Sequence, residues 1–69
     1  DRTGEPRRMR WQGHPQRIER VLARWRVDEG WWEDQRTWRE YFEVTTSAGL
    51  FVLFHDLLTG EWRLQRVYD

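Results

Sequence analysis

Apolar and polar residues alternate with a period of two along most of this chain, the pattern of half-buried β-strands. In 7–12, Met9 and Trp11 alternate with Arg8, Arg10 and Gln12, which predicts a first strand. Gly13, His14 and Pro15 then supply turn residues. The run 16–27 fits two periods. Ile18, Val21, Leu22 and Trp25 recur at helical spacing, whereas Glu19, Val21, Ala23, Trp25 and Val27 share one face of a strand. Pro15 and Gln16 stand where a helix needs a Ser, Thr or Asp cap. We therefore read a strand, with a bulge near Leu22 reconciling the mixed register.

Asp28-Glu29-Gly30 is a turn, and 31–35 reads as a loop carrying Trp31 and Trp32. Neighbouring residues point to opposite faces of a strand, so one of these rings is expected to plug the end of the core and the other to stay partly exposed. The clearest strand is 37–46. Trp38, Glu40, Phe42 and Val44 form one face, and Arg39, Tyr41, Glu43 and Thr45 form the other. Ser47-Ala48-Gly49 closes a hairpin into 50–55, which is apolar on both faces and so expected to be central. After a turn at 56–60, the run 61–68 alternates Trp62, Leu64, Arg66 and Tyr68 with Arg63, Gln65 and Val67. The expected fold is all-β, a five-stranded antiparallel meander forming a small SH3-like barrel or a strongly bent sheet. Trp25, Trp38 and Trp62 fall on regular strand positions and are expected in its core.

With 69 residues, the chain has room for one hydrophobic core. We expect 1–6 to be a flexible N-terminal segment and 7–69 a single domain stabilised by its aromatic rings. The chain has no cysteine, so neither a disulfide framework nor a thiolate metal site is available. A cytoplasmic setting fits, and the polar opening DRTGEPRR suits a piece of a longer protein. The net charge of zero argues against a dedicated nucleic-acid binder, but the charge is unevenly placed. Residues 1–26 carry +5 and residues 27–69 carry −5. All basic residues are arginine, the side chain suited to bidentate contact with phosphate or carboxylate.

No pattern of catalysis emerges. Asp28, Glu29, Glu33 and Asp34 flank the Trp31-Trp32 pair, but carboxylates around a turn are ordinarily just solvated. His14 and His55 are far apart in sequence and form no metal-ligand spacing. His55-Asp56 has no nucleophile motif nearby, and the glycines are spread singly rather than in a phosphate loop. We expect no enzyme activity, no cofactor and no metal.

Three stretches taken together resemble a known family. They are 17–32, with its Asp28-Glu29-Gly30-Trp31-Trp32 turn, the strand Arg39-Glu40-Tyr41-Phe42-Glu43-Val44, and the closing 62–69 with Trp62-Arg63-Leu64. In order and spacing they resemble a small bacterial domain of unknown function, similar to the C-terminal tail of ImuB-type proteins, which are Y-family DNA polymerase homologues. The resemblance implies an accessory role in DNA damage tolerance and translesion synthesis, recruiting or positioning partners. That family's polymerase carboxylates belong to another domain, and no clamp-binding peptide is visible around Gln16 or Gln65.

The leading expectation is thus an interaction module that contacts a protein partner through Trp31, Trp32, Arg39 and Tyr41, residue types that often dominate interface energetics. Against it stands a purely structural role for Arg39, stacked on a ring or paired with Glu40 or Glu43. The alternative is single-stranded nucleic-acid binding through Arg7, Arg8, Arg10, Trp11, Arg17, Arg20 and Arg24, with phosphates on the arginines and a base on the ring. Carbohydrate binding by exposed tryptophans is a third class.

Overall fold

The structure is a computed structural model describing residues 4–30 and 36–68. Residues 31–35, with Trp31 and Trp32, lie outside the described residues. Two antiparallel sheets form, so the all-β expectation holds in outline. Strands β1 (Arg8–Trp11) and β2 (His14–Arg17) make a hairpin, and β3 (Arg20–Glu29), β4 (Thr37–Thr46), β5 (Gly49–Asp56) and β6 (Trp62–Tyr68) make a four-stranded meander in that order.

Two corrections to the expected five-stranded barrel or strongly bent sheet have local causes. The first turn is Gln12-Gly13 rather than residues 13–15. Both adopt positive φ, 50° and 80°, the geometry of a two-residue type I′ turn. His14 and Pro15 therefore enter a strand, and the single strand expected over 16–27 is interrupted at Ile18-Glu19, so the described residues form six strands. Pro15 is tolerated there because Ile18 N donates to Arg7 O at 2.9 Å, which sets the alternation. Bonded pairs then fall at 9/16 and 11/14, and Pro15, opposite Arg10, sits between them where no N–H is needed. The second correction is that the large sheet does not close into a barrel: β3 and β6 are its edges.

Each edge strand carries a bulge. Leu22 is the extra residue in β3, between the pairs Val21/Val44 and Ala23/Glu43, as the mixed register there predicts. Gln65 is the extra residue in β6, between Leu64/Leu53 and Arg66/Val52. The bulges reassign faces. Val21 joins Val44 on one side while Ala23, Trp25 and Val27 turn to the other. Leu64 and Val67 likewise face one way, and Arg66 and Tyr68 the other.

The core lies between the hairpin and one face of the large sheet. Phe42, Val44, Phe51 and Leu53 are buried there, with Met9 and Trp11 of β1, Ile18, Val21 and Val67 packed against them. Trp11 meets Phe51 edge-on at 5.4 Å. Central β5 is buried on both faces at Phe51, Val52, Leu53 and Phe54, as its two-sided apolar pattern predicts.

Candidate interaction surfaces

The face of the large sheet turned away from the hairpin carries a row of rings. Trp25, Tyr41 and Phe54 are cross-strand neighbours on β3, β4 and β5. Trp25 and Tyr41 stack nearly parallel at 5.4 Å and 4°, and Tyr41 meets Phe54 at 5.4 Å. Arg39 lies over Phe54 at 4.4 Å from its centroid, and its Nη1 donates to Tyr41 Oη at 3.5 Å. A shallow groove of about 380 Å³ continues the row between Trp25, Tyr41, Val52, Arg66 and Tyr68. No described strand packs over this face. Trp25 is 42% exposed and Tyr68 40%. The bulge at Leu22 is what directs Trp25 here, since it turns the second half of β3 over relative to Val21.

Arg39 thus stacks on a ring, as its structural role would require, but it pairs with neither Glu40 nor Glu43 and lies at an open surface. Glu40 points to the opposite face. Arg24 Nε donates to its Oε2 at 2.8 Å and Arg26 Nη2 to the same oxygen at 3.3 Å. The hydrogen bond from Arg24 holds the Glu40 carboxyl below its ordinary range, against an opposing effect of burial, and raises Arg24 in turn. Arg24 also caps the Phe42 ring at 5.3 Å.

A second surface lies on the hairpin side. A cleft of about 560 Å³ runs between residues 5–10 and the β5–β6 pair, lined by Arg7, Arg8, Arg10, Leu53, Trp62, Arg63 and Leu64. Trp62, expected in the core, is 43% exposed. Its indole stacks on the His55 imidazole at 4.4 Å and 1° and tilts against Phe42 at 5.4 Å.

Sequence comparison with known protein families, with curated proteins and with solved structures finds no match.

The residues predicted from sequence divide between these surfaces. Arg39 and Tyr41 sit together in the aromatic row, while Trp31 and Trp32 lie outside the described residues. Of the arginine set, Arg7, Arg8 and Arg10 share the cleft, and Arg17 faces Arg8 across the hairpin. Arg20 lies beside Glu5 and Ile18 in a separate groove, and Arg24 is held by Glu40. Trp11 is half-buried against Phe51, so the ring that accompanies the arginines in space is Trp62. Sequence reasoning also missed Trp25 and His55 as surface-forming rings. A usable signal was position: Trp25 and Trp62 belong to the first and last strands of the meander, the ones with a neighbour on one side only.

Among the described residues, no group of three or more His, Cys, Asp or Glu side chains is placed to hold a metal. His55 is engaged with Trp62, and Asp56 accepts from Leu58 N and Thr59 N in the β5–β6 turn. Asp28 is held by Arg36 at 3.1 Å.

Proposed function

We propose that this domain is a non-catalytic interaction module, an accessory of DNA damage tolerance that recruits a protein partner through the open face of its large sheet. The observation that carries this reading is the Trp25–Tyr41–Phe54 row with Arg39 laid across it. Tryptophan, tyrosine and arginine at the centre of an uncovered apolar patch are the composition of interface hot spots. A row braced by cross-strand stacking is also pre-organised, which reduces the ordering cost of association. Trp31 and Trp32, which follow β3 in the chain, would extend the contact. The choice of process rests on the resemblance to the ImuB-type tail, whose Arg-x-Tyr motif supplies Arg39 and Tyr41.

The test is genetic and biophysical together. Tyr41→Ala and Arg39→Glu are placed in the intact gene, with folding of the variant domains confirmed by circular dichroism. Damage-induced mutation frequency is expected to fall to the level of a gene deletion, since loss of a hot spot costs about 2 kcal/mol or more of binding. Wild-type mutation frequency in both folded variants would overturn the reading.

A further inference from the structure

We propose that the cleft between β1 and β6 binds single-stranded DNA, with a base stacked on Trp62 and adjoining phosphates held by Arg8 and Arg10. The choice of DNA over RNA rests on the reading above; the choice of a nucleic acid rests on the cleft itself.

Trp62 is backed on one face by the parallel His55 ring and steadied by Phe42, yet remains 43% exposed beside the cleft. A flat ring held in place but left open is a stacking platform, and stacking suits any base. Leu53 and Leu64 provide apolar flooring around it. The volume of about 560 Å³ falls within the range of roughly 300–1,000 Å³ usual for small-ligand sites.

Charge identifies the occupant. Arg8 and Arg10 pair with no carboxylate among the described residues, and Arg8 stands directly opposite Arg17 in the hairpin. Like charges facing each other across a ladder are unfavourable, and a bound anion would offset that repulsion. Arg63 stands opposite Phe54, so its side chain lies on the far face of the sheet, where Glu61 engages it at 2.7 Å. Glu5 also lines the cleft and sets a limit on affinity. A chain of phosphates spaced by flat rings fits this alternation of arginines around an indole better than a peptide does, because a peptide does not repeat both elements.

The experiment titrates the full chain into fluorescein-labelled oligothymidylate and oligouridylate over a series of NaCl concentrations, following anisotropy. Oligothymidylate binding is expected with a log–log salt slope of about −1.4, corresponding to two phosphates at about −0.7 each. Arg10→Gln, at an exposed position, should reduce the slope by about 0.7. Trp62→Ala should weaken binding about tenfold, whereas Trp62→Phe, which retains a ring, should stay within about threefold. Because Trp62→Ala also removes the Phe42 contact, the Trp62→Phe and Arg10→Gln variants decide the matter if it unfolds. The proposal is overturned if the folded chain does not bind, if the slope is flat, if Arg10→Gln leaves the slope unchanged, or if oligouridylate or an acidic peptide binds more tightly. Tyr41 and Arg39 lie on the other face of the sheet, so such a failure leaves the genetic test of the partner surface standing.

Discussion

Glu40 shows how one side chain joins the two ends of the chain's charge asymmetry. It is 7% exposed, and Arg24 and Arg26, from the positive N-terminal half, converge on a single oxygen of it. Its carboxyl titrates below the ordinary 4.5 chiefly because of the hydrogen bond from Arg24. A carboxyl depressed in the folded state stabilises fully above its unfolded pKa, and that contribution is lost as pH falls through the folded value. Thermal stability should therefore be flat from neutral pH to about 5 and decline in more acid solution. Glu40→Gln should lower the melting temperature by several degrees at pH 7 and flatten the decline. Equal acid sensitivity in both proteins, by calorimetry, would show that Glu40 is not the group responsible. The residue scale is also where the sequence misled most. Alternation marks Trp25 and Trp62 as facing one side or the other of a strand, but it cannot say whether a second layer covers that side.

At the scale of elements, strand 37–46 was fully legible because its period of two is uninterrupted and its buried positions alternate as expected. The bulge near Leu22 was legible too, since no single strand face accommodates Ile18, Val21, Leu22 and Trp25 together. The bulge at Gln65 was read past, although Val67, out of step with Leu64 in a plain alternation yet packed on the core, was the residue that could have revealed it. Strand β2 was not legible, because proline reads as a breaker until its unbonded position is known. The Gln12-Gly13 turn that sets this register places a non-glycine residue at φ 50°. L-residues pay roughly 1–2 kcal/mol for that conformation, and asparagine tolerates it best. Gln12→Asn should raise stability by about 0.5–1 kcal/mol, read from urea unfolding. No gain would mean that the strands, rather than the turn, dictate the pairing.

At the scale of the molecule, the largest fully buried side chains among the described residues are Phe42, Phe51 and Val44. A domain of this length has a total stability of roughly 3–10 kcal/mol, and removing a buried phenylalanine ring costs about 3–5. Phe51→Ala should leave much of the protein unfolded at 25 °C by near-ultraviolet circular dichroism, whereas Leu58→Ala, in an exposed turn, should change stability by less than about 0.5 kcal/mol. A native-like spectrum for Phe51→Ala would show that the aromatic row on the far face also stabilises the sheet substantially. The radius of gyration, 12.8 Å, exceeds the roughly 11 Å of a fully compact chain of this length. The shortfall in compactness agrees with large rings left at the surface.

An open sheet leaves two rows of backbone donors and acceptors facing outward, along β3 and β6. A second copy approaching either edge would need an unbroken ladder to add its own strand. It meets Leu22 on one side and Gln65 on the other, each of which throws the rows out of step after a few residues. The irregularities that aim Trp25 and Tyr68 outward therefore also discourage edge-to-edge polymerisation, so the chain can display sticky rings without growing into a fibre.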